Sequence, residues 1–228
     1  MTGWAEVMEA TWPPAAVRDL GPWRLRDGAG GGKRVSAATA EGAWTTGDLA
    51  LAEAAMAQPL FQIRQGDGAL DAALDARGYR LIDPVVVYEA AVTGFDAPPP
   101  MTTFPHWPPL EIAVGLWAAA GIGPARLAVM HRALGPKVAI LARAKDRVAG
   151  VAYVALHGTT AMLHALEVAP NLRRQGCAQN ILRAAAVWGR ENGADVLTLV
   201  VTEANAGARN LYASLNMQVV GSYHYREK

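Results

Sequence analysis

The chain has 228 residues, 52% of them hydrophobic and 18% charged, with a formal net charge of +1. That balance builds a buried core and excludes a disordered polyelectrolyte; it also supplies neither the basic face that nucleic acid needs nor a polybasic membrane surface. The single cysteine, Cys177, excludes an internal disulfide and a cysteine-rich metal site, and it fits a reducing cytoplasm.

In chain order, the opening MTGWAEVMEATWPP carries two glutamates and no basic region followed by an apolar run, so no secretory leader is expected there. Gly28 to Gly32, "GAGGG", joins "WRLRD" to "KRVSAAT" with no helix pattern after it, and so reads as a flexible hairpin tip rather than a phosphate loop. "FDAPPPMTTFPHWPP", Phe95 to Pro109, is the clearest linker, because its prolines forbid a regular helix or a central strand. It divides the chain into an N-terminal portion (1–95), the linker (96–109) and a C-terminal portion (110–228). The longest apolar run, Ile112 to Gly123, is too short for a membrane span and suits a buried helix.

The C-terminal portion predicts helices over Leu110–Ala120 and Ala125–Leu134, then a hairpin of Val138–Arg143 and Arg147–Leu156. Thr160–Val168 alternates, with Met162, His164, Leu166 and Val168 on one face and Glu167 on the other. A helix over Cys177–Glu191, an apolar strand over Asp195–Thr202, a short helix over Ala206–Leu215 and a last strand over Gln218–Arg226 complete the order ααβββαβαβ. An offset of 138 residues (212 − 74) lays "LFQIRQGDGALDAALDARGYRLI" over "TLVVTEANAGARNLYASLNMQVV" without a gap, which suggests a repeat of this ending in the N-terminal portion.

Between strand and helix lies "VAPNLRRQGCA". A helix N-terminus offers unpaired N–H groups and the positive end of the macrodipole, and a glycine lets a phosphate approach the backbone. Arg173, Arg174, Gln175, Gly176, Cys177 and Ala178 therefore have the parts of a diphosphate cradle. The stretch resembles motif A of the GNAT superfamily of acetyl-CoA-dependent N-acyltransferases, a strand ending V-x-P followed by R/Q-x-x-G-x-G/A. "NAGARNLY", Asn205 to Tyr212, resembles motif B, with Asn216-Met217 standing where the family usually has Gly-Phe. The resemblance implies an α/β (α+β) fold with a mixed, mostly antiparallel central sheet flanked by helices, here in a tandem arrangement whose N-terminal half is degenerate.

It further implies acetyl-CoA as cosubstrate, its diphosphate on the amides of Arg174 to Ala178 beside Arg173 and Arg174. Its pantetheine arm would run along the backbone of Leu166, Glu167 and Val168, with Asn205 near the same arm. Tyr212 occupies the place of the family's proton donor to the leaving sulfur. "LHAL" is similar to the arylalkylamine N-acetyltransferase branch, with Met162 in place of that branch's first histidine. This makes His164 a candidate base, and Trp107 and Trp117 hint at an apolar or aromatic amine. The expected function is acetyl transfer to a primary amine by direct attack in a ternary complex; the alternative is a non-catalytic acyl-CoA sensor. No metal site is expected, since His106, His131, His157 and His224 lack ligand spacing. In the N-terminal portion no R-x-x-G-x-A occurs, and Leu74 stands where the offset places Tyr212.

Overall fold

The computed structural model describes residues 3–228. The first elements are α1 (Trp4–Thr11), β1 (Ala16–Leu20), β2 (Trp23–Asp27), β3 (Thr39–Ala40), α2 (Thr46–Ala55), β4 (Leu60–Arg64), α3 (Gly68–Ala76) and β5 (Arg80–Ala91). There follow β6 (Thr103–His106), α4 (Glu111–Ala119), α5 (Pro124–Arg132), β7 (Lys137–Ala144), β8 (Arg147–His157), β9 (Thr160–Val168), α6 (Cys177–Glu191), β10 (Val196–Thr202), α7 (Ala206–Ser214) and β11 (Gln218–Glu227). The elements predicted for the C-terminal portion are all present, within one or two residues of their expected ends. Helix and strand periods there are long and uninterrupted, which is why they could be read.

A small sheet, β1-β2-β3, stands beside an eight-stranded sheet of order β4-β11-β5-β10-β9-β8-β7-β6. In the larger sheet only the β9–β10 contact is parallel, because α6 carries the chain back over the sheet between those two strands. β5 lies between β10 and β11 and is antiparallel to both, so strands from both sides of the proline-rich segment share one sheet. That segment itself contributes β6, with Thr103 opposite Ala142 and His106 opposite Ala139. Pro105 is tolerated there because β6 is an edge strand and needs only one row of hydrogen bonds.

Helices cover both faces. α6 turns Ile181, Leu182, Ala185, Ala186 and Gly189 inward, a stripe at helical spacing. A Cβ on Gly189 would stand 3.1 Å from that of Ala161, so the missing side chain sets how closely α6 approaches β9. Leu182 is fully buried, and truncation to alanine there would cost about 2–5 kcal/mol. The opposite face packs Ala113, Trp117, Val129 and Met130 of α4 and α5 against Ala139, Val151 and Tyr153. Gly28–Gly32 does not form a free tip: it packs against α5. A side chain on Gly31 would meet Val129 Cγ2 at 2.6 Å, and only glycine fits that contact.

The order β1-β2-β3-α2-β4-α3-β5 recurs as β7-β8-β9-α6-β10-α7-β11. At the offset of 138, Gly68–Ala76 falls on Ala206–Ser214 end for end, and Arg80 falls on Gln218. The parallel bridge Ala38–Phe61 stands where Leu163–Leu199 stands in the second run.

Candidate functional site

Parallel pairing of β9 with β10 runs from Thr160–Val196 to Leu163–Leu199 and stops, though both strands continue. Beyond that point β9 stays paired to β8 and β10 to β5, so the two strands splay and leave a cleft. α6 begins at its mouth. Gly176 is the N-cap with φ +80° and makes no side-chain cap, and Arg174 two residues earlier has φ +62°. Two left-handed residues so close turn successive N–H groups outward together. Among the described residues, the amides of Arg174 to Gln179 make no hydrogen bond to protein. Arg173, Arg174, Gln175 and Gly176 are exposed, and Arg173 Nε donates to the Val168 carbonyl at 3.1 Å, tying the loop to the end of β9. The arrangement suits an anion with several acceptor oxygens. Cys177 points into the core, and burial pushes its thiol up, which leaves it unreactive at neutral pH.

β9 carries a bulge. Tyr153 pairs with His164 and Val151 with Glu167, so one residue of β8 faces two of β9. Ala165 takes φ +51°, a left-handed conformation that costs an alanine roughly 1 kcal/mol. Trp117 Nε1 donates to the Ala165 carbonyl at 2.8 Å and holds the bulge. The extra residue reverses the alternation, so Leu166 and Val168 pack toward α6 while Glu167 joins His164 on the α4–α5 face. This corrects the sequence reading, which put Glu167 on the opposite face from His164. Burial raises the Glu167 carboxyl above its ordinary value, while the charges of Arg173 and Arg126 pull it back.

Tyr212 enters from α7, 6% exposed, its ring centroid 5.4 Å from that of Tyr88 on β5. Its hydroxyl makes no hydrogen bond within the described residues. Burial, and then the charge of Glu167, push its pKa up to about 12. Asn205 caps α7, its side-chain oxygen accepting from the Ala208 N–H at 3.1 Å, and Asn216 ends the helix with φ +57°. The motif B asparagine thus sets the start of the helix that carries Tyr212.

The sequence profile of the Acetyltransferase (GNAT) family matches residues 111–217, the stretch that builds this cleft. Over those residues, a little under half of the chain, the protein is similar to GNAT acetyltransferases. Solved structures agree on the fold. A functionally unknown conserved protein from Staphylococcus epidermidis superposes with a TM-score of 0.72 at 10% identity, over 99% of both chains. A GCN5-related N-acetyltransferase from Kribbella flavida gives 0.70 at 16% identity, over 97% of this chain and 92% of that one. A tandem GNAT protein from the clavulanic acid biosynthesis pathway gives 0.62 at 15% identity, over 98% and 86%. No curated protein sequence matches the chain. Members of the GNAT family use acetyl-CoA as cosubstrate, and acyl transfer is the general chemistry the match supports.

Within the matched stretch, His164 does not sit as a base would. It is 4% exposed, its Nδ1 is 2.9 Å from Arg34 Nη1, and its Nε2 is 2.9 Å from Thr11 Oγ1. A guanidinium only donates, so Nδ1 accepts and the proton is on Nε2. Thr11 Oγ1 donates in turn to the Val7 carbonyl at 2.7 Å. Burial, and then the Arg34 charge, hold His164 well below its ordinary value. With both nitrogens occupied, it has none to offer a substrate proton; it ties α1 and Arg34 to β9. The histidine expectation failed because its partners come from the other end of the chain.

Trp117 is likewise enclosed, so it forms no part of an acceptor surface, and Trp107 packs on Tyr153 and His131. Among the described residues no group of three His, Cys, Asp or Glu could hold a metal ion, and no helix is long and apolar enough to cross a membrane.

Proposed function

We propose that the chain transfers acetyl from acetyl-CoA to a primary amine by direct attack in a ternary complex. One observation carries this reading: β9 and β10 part at Leu163 and Leu199, with free α6 amides at the mouth of the gap, Glu167 on β9 beyond the parting point, and Tyr212 near enough to feel its charge. Arg174 to Ala178 would hold the diphosphate through backbone amides, with Arg173 and Arg174 beside it. The edge of Leu166–Val168 that β10 leaves unpaired would hydrogen-bond the pantetheine amides. Acetyl-CoA supplies an activated acyl thioester.

Glu167 is the base we assign. An amine with a pKa of about 10.4 is protonated at neutral pH, and a half-buried carboxylate on the α4–α5 face is placed to take its proton, directly or through water. As the amine nitrogen bonds to the carbonyl carbon and the C–S bond breaks, negative charge grows on sulfur. Tyr212, protonated at all working pH values, donates a hydrogen bond there.

The N-terminal portion reads as a second copy of the same unit that binds no CoA. α2 begins with a closed capping box, Thr45 with Asp48, whose carboxylate stands where an anion would have to bind. A turnover screen with acetyl-CoA across arylalkylamines, aliphatic polyamines, amino acids and peptide N-termini tests the proposal. Acetylation of one class supports the enzyme; tight CoA binding without turnover on any amine gives the protein to the sensor reading.

A further inference from the structure

A cavity of about 480 Å³ opens far from the cleft in sequence, between α1 and strands β2 and β4 of the N-terminal portion. That size falls within the range of small-molecule sites. Met8 and Trp12 give it an apolar wall. Its charged groups are mostly spoken for. Arg26 pairs with Glu9 at 2.8 Å and with the Ala37 carbonyl, Arg64 with Glu41 at 3.3 Å, and Arg24 with Asp19 at 3.3 Å. Glu6 is exposed and turned to His157.

Two donors are left over. Gln62 is 4% exposed, and among the described residues its Nε2 has no hydrogen-bond partner. A buried amide without a partner is destabilising and calls for an acceptor. Gln62 lies opposite Tyr225 on β11, which places it on the α1 side of the sheet, away from Phe61 and the core beneath α2 and α3. Arg34 is half-buried, and among the described residues it has no carboxylate partner. Its one hydrogen bond goes to neutral His164, and its guanidinium carbon stands 5.8 Å from the Trp12 ring centroid. A guanidinium with spare N–H groups, a spare amide and an aromatic wall make a recognition set for a carboxylate on a small apolar body.

We infer that this cavity is a second ligand site, which binds a small organic monocarboxylate through Arg34 and Gln62 with its apolar part against Trp12. The site is independent of the acetyl-transfer reading, because none of these residues is among those assigned to acetyl-CoA or to the proton transfers.

Calorimetric titration of the intact chain with benzoate, phenylacetate and propionate, and with neutral phenylacetamide, tests it. At least one acid should bind with one site per chain, and phenylacetamide should not. Gln62→Leu and Arg34→Gln should each weaken binding about tenfold or more, the effect of losing a hydrogen bond to a charged group. Both variants should bind acetyl-CoA as the wild type does, which separates failure here from failure of the phosphate-loop assignment. If Arg34→Gln fails to fold, the acid–amide comparison on the wild-type chain tests the charge instead. No acid binding at millimolar concentration, equal binding of phenylacetamide, or unchanged affinity in either folded variant would overturn the inference.

Discussion

Replacing Tyr212 with phenylalanine removes one hydroxyl and keeps the ring. That hydroxyl makes no hydrogen bond among the described residues, while the residue is 6% exposed and its ring packs on Tyr88 at 5.4 Å. No partner is orphaned, so folding stability should change by no more than about 0.5 kcal/mol. The catalytic effect follows from the pKa. A phenol at about 12 facing a thiol of about 8.5 would give up its proton at a cost of roughly 5 kcal/mol, so in the proposed reaction Tyr212 would serve as a hydrogen-bond donor to developing thiolate, not as a full acid. Removing one such donor costs about 10²- to 10³-fold in kcat, and without full proton transfer the lower figure is expected. KM for acetyl-CoA should hardly move, because the bond strengthens only as charge reaches sulfur. Thiol release followed with a chromogenic disulfide measures both constants. Wild-type kcat in Tyr212→Phe, with the amine saturating, would show that the ring alone matters and refute the reasoning.

The other expectations concern the bulge strand and the glycine loop. Glu167→Gln should lower kcat/KM by about 10²-fold at neutral pH and recover toward alkaline pH, where the amine loses its proton unaided; a pH–rate profile parallel to wild type would remove Glu167 as base. The same variant has a stability signature: a carboxyl raised on folding loses stability as pH climbs through its raised pKa, so Glu167→Gln should melt higher than wild type at neutral pH and no higher below the carboxylate range. His164 has the opposite sign. Its folded pKa is depressed, so the unfolded chain takes up the extra proton and wild-type stability should fall by about 1.4 kcal/mol per pH unit below 6.5, a slope His164→Gln should lack in denaturant titrations at several pH values. Gly31→Val should destabilise by about 1–3 kcal/mol through its clash with Val129, read as a lower Tm; an unchanged Tm would mean the loop is free after all.

The sequence was informative wherever a single element carried its own signal. α6 announced itself by period, Gly176 by its place before the helix, and Asn205 and Tyr212 by their spacing. Glu167 was misplaced because strand alternation holds only while pairing is regular, and nothing local marks Ala165 as the site of an inserted residue. The bulge depends on Trp117, 48 residues away in sequence, whose indole hydrogen bond stabilises the Ala165 carbonyl in its turned position. His164 was over-read for a similar reason: Thr11 and Arg34 lie more than 120 residues upstream and reach it only through the fold. The insertion of β5 between β10 and β11 was equally out of reach, since a strand's apolar pattern does not name its neighbours.

The central claim is that the α6 N-terminus holds acetyl-CoA and that its counterpart at α2 does not. Calorimetric titration of the chain with acetyl-CoA tests it most directly, with Arg174→Glu as the comparison. Arg174 is exposed, and glutamate tolerates its positive φ no worse than arginine does, so the variant should fold normally. The account predicts one acetyl-CoA per wild-type chain and a loss of binding in Arg174→Glu, where a negative charge would face the diphosphate. Two acetyl-CoA per chain, or undiminished affinity in a folded Arg174→Glu chain, would contradict it.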